Sequence, residues 1–154
     1  MRLALDSNVL LYSVGIAKVP TDHAKTAFIR PLIDKLEISE EIVCPWQTFG
    51  EAYHVMQRYG ITRDKCRITL DDWRTRFEVV ASNNAAFADA VQLATDHKLQ
   101  FWDALIINVA AEAGCTLLLS EDLQPGFAWR GVTIANPFAE TLDERLVRIL
   151  NTPL

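Results

Sequence analysis

The chain has 154 residues, half of them hydrophobic and 23% charged, with six Gly and six Pro. That composition provides for one folded core and excludes a disordered, collagen-like or linker-rich chain, so a single domain over residues 1–154 is expected. Fifteen Lys and Arg against twenty Asp and Glu give a formal net charge of −5, without the overall basic footprint of a constitutive nucleic-acid binder.

The apolar N-terminus is interrupted at Asp6, with no extended basic region before it and no small-residue cleavage site after it. It does not read as a signal peptide. Nowhere do about 18 uncharged apolar residues run together, so no transmembrane helix is expected and a cytoplasmic location is. Cys44, Cys66 and Cys115 are widely spaced and odd in number, which argues for buried thiols in a reducing compartment rather than a disulfide framework or a zinc site.

In chain order, Arg2 to Leu5 reads as a buried strand ending at Asp6, followed by a loop or short helical turn over Ser7 to Tyr12. Thr21 or Asp22 caps a helix with Phe28, Ile29, Leu32, Ile33 and Leu36 at helical spacing, in which Pro31 is expected to introduce a kink or a split. Glu41 to Pro45 reads as the second strand. A helix from Gln47 to Tyr59 follows, placing Phe49, Ala52, Tyr53, Met56 and Tyr59 on one side and stopping at Gly60. Thr62 caps a helix from about Arg63 to Phe77 that presents Cys66, Leu70, Trp73 and Phe77. Glu78 to Ala81 is a short strand, Asn83 or Asn84 opens a helix to Lys98, and another runs from Trp102 to Ala113. Residues 116 to 120 form the clearest central strand, residues 131 to 135 the last, and Glu140 to Leu150 a terminal amphipathic helix. Strands alternating with helices predict an α/β fold: three α/β/α layers around a mainly parallel sheet.

Four long windows of this chain contain acids and no base. Asp6 is the only charge from Leu3 to Ala17, Glu51 from Ile42 to Gln57, and Asp103 from Leu99 to Ala111; Glu121 and Asp122 stand alone from Ala113 to Trp129. Surface carboxylates are usually interspersed with Lys or Arg, and an apolar setting makes an unpaired charge costly. Asp6 ends a strand, Glu51 and Asp103 lie early in helices that follow, and Asp122 follows the central strand. In a parallel sheet all these positions fall on the carboxyl edge, so the four acids should face one crevice. Gathered carboxylates call for a divalent cation, and an oxygen-only set selects Mg²⁺ or Mn²⁺ over zinc, which suits phosphodiester hydrolysis.

With these residues in place, the sequence resembles PIN-domain ribonucleases of the kind found as VapC-type toxins of type II toxin-antitoxin pairs. The carrying segments are LALDSNVLLY at the N-terminus, Glu51, FWDALIINVA around Asp103 and LLLSEDLQPG around Asp122, which together span almost the whole chain. The resemblance implies a PIN-like fold, a metal-dependent endoribonuclease activity, and Asp6, Glu51, Asp103 and Asp122 as catalytic and metal-binding residues. It also implies supporting roles: Asn8 helping to hold the first aspartate, and Ser120 orienting Asp122 or a water. Glu121 departs from the family pattern and could supplement or replace Asp122. The implied partners are an RNA substrate, a small antitoxin whose C-terminal segment covers the groove, and a second copy of the chain, docked through helices between Thr21 and Phe77.

Other features admit two readings. Arg58, Arg63, Lys65, Arg67, Arg74 and Arg76 could cradle phosphates, but the intervening Asp64, Asp71 and Asp72 favour a solvated helix face. His54 is near enough to Glu51 in sequence for a supporting role, whereas Trp46, Trp102 and Trp129 read as core or rim before they read as base-stacking platforms. A haloacid dehalogenase-type phosphatase would need an acid where Asn8 stands. P-loop and dinucleotide fingerprints are absent. The competing reading from another class is a non-catalytic PIN-like module that binds protein.

Overall fold

The computed structural model describes residues 1–17 and 19–153. Its sheet begins with β1 (Arg2–Leu5), β2 (Glu41–Pro45) and β3 (Glu78–Val80), and continues with β4 (Leu117–Leu119), β5 (Ala128–Trp129) and β6 (Val132–Ala135). The spatial order is β3-β2-β1-β4-β6-β5, parallel throughout except for β5, which pairs antiparallel with β6. β5 was not expected from sequence. Two residues carry no period, and Gly131 at φ +92° with Arg130 at φ +46° makes the tight turn that returns the chain alongside β6.

Alternation along the strands separates two cores. Ala4, Val43, Leu118 and Ile134 stand in register across the sheet and face α5 (Asn84–His97) and α6 (Phe101–Glu112). Leu3, Leu5, Leu117 and Leu119 face the other way. They pack with α1 (Ser7–Ser13), α2 (His23–Ser39), α3 (Trp46–Arg58), α4 (Arg63–Arg76) and α7 (Glu144–Asn151). Burial on both faces is why these strands are continuously apolar instead of alternating with polar residues. The result is the three-layer α/β/α arrangement expected from sequence.

Several local expectations are corrected. The segment after Asp6 is a true helix, α1, with Asn8, Val9, Leu10, Leu11 and Tyr12 all buried; a helix apolar on every side has no amphipathic period to betray it. Pro31 does not split α2. It lies on the exposed side, where the carbonyl its missing N–H leaves unpaired can meet water, and the buried stripe of Ile29, Leu32, Ile33 and Leu36 runs past it. Tyr59 is exposed beyond the end of α3, away from the buried Phe49, Ala52 and Met56. α7 starts at Glu144, because Asp143 accepts from the Arg145 amide at 2.9 Å and clasps its guanidinium, making a cap that residues 140 to 142 lack. The three cysteines are buried and free, as expected.

Trp73 anchors α4 against α3, fully buried with its ring 5.6 Å from that of Phe49. Trp73→Ala should cost about 3–5 kcal/mol through lost burial and an unfilled cavity, read as a lower urea midpoint with little change in slope.

Candidate active site

The sheet changes winding direction between β1 and β4, whose carboxyl ends lie side by side. Asp6 follows β1 directly, and its amide donates to the Leu119 carbonyl at 3.0 Å, extending the β1–β4 pairing by one step. Its side chain therefore sits at the mouth of the crevice where parallel sheets bind ligands. Only 7% exposed, the carboxylate accepts from the Ser7 amide at 2.7 Å and from the Ser120 hydroxyl at 2.6 Å. The first contact makes Asp6 the N-cap of α1, so the capping role and the site coincide.

Ser120 is fully buried just past β4. Its oxygen donates to Asp6 and accepts from the Asp122 and Leu123 amides at 3.2 and 3.3 Å, which curls the following loop back over the strand end. Asn8 reaches across from α1, donating to Asp122 at 3.0 Å and accepting from the Glu121 amide at 3.4 Å. Ser120 thus touches the Asp122 backbone and also holds Asp6, while Asn8 holds Asp122 instead of the first aspartate. Asn8 reaches Asp122, and Ser120 reaches Asp6, because each side chain extends across the β1–β4 seam. These bonds tie the two halves of the crevice together.

Glu51 from α3 and Asp103 from the first turn of α6 complete the set. Burial pushes the Asp6, Glu51 and Asp103 carboxyls above the ordinary range. Mutual repulsion adds to this: Asp122 acts on Asp6, Asp6 and Asp103 act on Glu51, and Asp6 and Asp122 act on Asp103. The four sequence-predicted acids therefore share one electrostatic neighbourhood. Among the described residues, no Lys or Arg forms an ion pair with any of them.

Glu121 is different. It accepts from the Tyr12 hydroxyl at 2.6 Å and pairs with Lys25, which also bridges to Asp22 at 2.9 Å. That network spans α1, α2 and the loop after β4, and it occupies Glu121 with a cation while the adjacent Asp122 has none. The local sequence could not separate the two acids, since Lys25 is supplied from 96 positions away.

The donor chemistry of the four acids fits a hard divalent cation: oxygen donors only, uncompensated charge, and polar neighbours that hold two of the carboxylates. Among the described residues, no three His, Cys, Asp or Glu side chains are gathered into a ready-made cation cage. The acids act on one another electrostatically, and holding an ion tightly would require them to draw closer together. Repulsion between uncompensated carboxylates favours the open arrangement.

Sequence reasoning missed Ser7, whose amide and hydroxyl both face Asp6 and whose hydroxyl also favours the ionised form of Glu51. Its position just after a strand-ending aspartate was the available signal. His54 is exposed on α3, and among the described residues no hydrogen bond or ion pair joins it to the acids. Trp46 and Trp102 are neither core nor covered; they stand 56% and 59% exposed beside Glu51 and Asp103. Trp129 is half-buried and donates its indole N–H to Asn108 at 2.8 Å.

Because folding raises the Asp103 carboxyl, its ionisation opposes folding: stability from this group is greatest below its unfolded value and falls as pH rises through the folded one. Asp103→Asn should therefore raise the metal-free melting temperature at neutral pH, by about 2–4 °C if the relief is near 1 kcal/mol. The difference should shrink as pH drops toward 4, and Mn²⁺ should stabilise the variant less than the parent chain. Thermal melts at pH 4 and 7, with EDTA or Mn²⁺, check both expectations.

A family model of the PIN domain matches residues 3–127. No curated protein matches the chain at a significant level. Among solved structures, the fold is similar to VapBC2 from Rickettsia felis, solved bound to a DNA fragment from their promoter. That match has a TM-score of 0.65 at 14% identity and covers 88% of this chain and 98% of that one. A toxin-antitoxin complex from Klebsiella pneumoniae aligns at 0.64 and 15%, over 88% and 98%. VapC20 from Mycobacterium tuberculosis, a sarcin-ricin loop cleaving toxin, aligns at 0.57 and 16%, over 75% and 86%. The family match spans most of the chain and contains both ends of the acidic crevice: the chain belongs to the PIN domain family.

Proposed function

We propose that the chain is a metal-dependent endoribonuclease, the toxin of a toxin-antitoxin pair, with Asp6, Glu51, Asp103 and Asp122 as its catalytic and metal-binding carboxylates. The observation that carries this reading is the contrast within the crevice. Four mutually repelling acids lack any basic partner among the described residues, while the neighbouring Glu121 is paired with Lys25. Paired acids serve the fold; acids left without counterions at a sheet's switch point suit a cationic ligand. The membership in the PIN family and the likeness to VapC and VapBC structures support the same activity and partner class.

Mg²⁺ or Mn²⁺, when bound, would supply the charge to activate a water and to stabilise the oxygen that leaves phosphorus. The protein's own contribution is position. Ser120 and Ser7 fix the Asp6 carboxylate, Asn8 fixes Asp122, and α3 and α6 carry Glu51 and Asp103. In hydrolysis, the water oxygen forms a new bond to phosphorus as one ester P–O bond breaks, leaving a phosphate monoester and a free hydroxyl. A carboxylate of the crevice would accept the water's proton, and the departing oxygen would take up a proton to become that hydroxyl. Glu121 stays outside this chemistry as a strut that holds the loop carrying Asp122.

The antitoxin partner would cover the crevice and set a basic side chain among the acids, relieving their repulsion. A second copy of the chain would dock through the helices between Thr21 and Phe77, where Ile38, Tyr59 and Ile68 remain exposed. No helix among the described residues is long and apolar enough to cross a membrane, and action on RNA in the cytoplasm is consistent with this.

Purified protein should cleave structured RNA in Mg²⁺ or Mn²⁺, lose that activity in EDTA, and lose at least about a hundredfold on Asp103→Asn. Equal cleavage by the parent chain and Asp103→Asn would leave the non-catalytic protein-binding reading in its place. Ser120→Ala, which frees Asp6 and two loop amides, should lower turnover about tenfold or more while the fold persists, as measured by single-turnover cleavage beside a melting curve.

A further inference from the structure

Immediately beside the acids, Trp46, Gln47, Gly50, Glu51 and Trp102 line an open groove of about 440 Å³. Trp46 opens α3 and Trp102 is the second residue of α6, so the indoles stand on two elements that also carry Glu51 and Asp103. The Gln47 amide donates to the Trp102 carbonyl at 3.2 Å, tying the two helix starts together. Phe101 packs edge-on against Trp102 at 5.1 Å between ring centres and sets that indole from behind. Between the walls, Gly50 leaves open space: a Cβ built on it would meet nothing within 4 Å. Two large aromatic side chains more than half exposed are costly to leave in water unless something covers them.

Charge and position select the occupant. Among the described residues, no Lys or Arg lines this groove, so they offer it no positive charge for a phosphate. Glu51 forms part of its wall and Asp103 adjoins Trp102, which disfavours an acidic peptide. A nucleobase is flat and uncharged, and it is joined to the phosphodiester that a divalent cation held by the neighbouring acids would engage. We propose that Trp46 and Trp102 form a stacking slot for one unpaired base of the RNA, beside the scissile phosphate. This rests on the ribonuclease reading for the position of the phosphate. A base inside a duplex cannot enter the slot, so the chain selects single-stranded or looped RNA and reads it by stacking, with little preference among bases.

The test uses the full chain in EDTA, where no cleavage occurs, with a short single-stranded oligoribonucleotide of mixed sequence and the same sequence as a duplex. The single strand should quench tryptophan emission and bind more tightly than the duplex by anisotropy. Trp46→Ala and Trp102→Ala should each weaken single-strand binding roughly tenfold, within the range expected for loss of one stacking partner, while Trp→Phe at either site recovers most of it. Both positions are exposed, so melting curves should be nearly unchanged, which separates lost stacking from lost fold. Parent-like RNA affinity in both alanine variants would overturn the proposal. So would retained RNA affinity with loss of the complex formed by a co-expressed neighbouring-frame protein, which would make the groove a protein-docking surface. Failure of the nuclease reading shows separately, as absent Mn²⁺-dependent cleavage by a chain that still binds single strands through the two indoles.

Discussion

A buried carboxylate with hydrogen-bond donors and no cation is the constraint around which this structure is arranged. Asp6 has given up water for one amide and two hydroxyls, and all three leave its charge uncancelled. Such a group is tolerable only where the surrounding structure holds it firmly and some ligand can supply positive charge. Its firmness comes from the β1–β4 seam. The backbone bond from Asp6 to Leu119, the bond from Ser120 to Asp6, and the bond from Asn8 to Asp122 all cross that one boundary. Apolar burial on both faces of the sheet fixes the seam, so packing energy far from the crevice sets the geometry inside it.

The same crevice sorts acids by what they touch. Glu121 and Asp122 are adjacent in sequence, yet one is neutralised by Lys25 and hydrogen-bonded by Tyr12, while the other is held by a neutral amide side chain. The pairing holds the loop in one place and leaves the charge of Asp122 available. Lys25 itself lies over the rings of Tyr12 and Phe138, so the strut is anchored in the larger of the two cores. A net charge of −5 thus does not by itself argue against an RNA ligand, because it is not evenly spread. Setting the four crevice acids aside leaves the remaining acids and bases nearly balanced.

The strands and most helices were legible because their signals are local. Residues 116 to 120 are an apolar run of strand length, Thr62 and Asn83 cap helices with their own side chains, and Gly60 and Gly114 stop helices at positive φ. The failures share a cause as well. α1 is buried on every side and carries no period, β5 is too short to have one, and Pro31 is harmless because of which way its face of α2 points, a fact of packing.

For the candidate site, the sequence alone nominated the members: four acids in windows without bases, at positions that a parallel sheet brings to one edge. That follows because alternation of strand and helix dictates where carboxyl ends lie, whatever the side chains do. The tertiary structure alone decided the partners. It gave Asn8 to Asp122 and Ser120 to Asp6, took Glu121 out of the crevice through Lys25, and left Trp46 and Trp102 uncovered beside Glu51 and Asp103. Those outcomes depend on contacts between residues far apart in the chain, within distances of a few ångströms, and no local spacing encodes them.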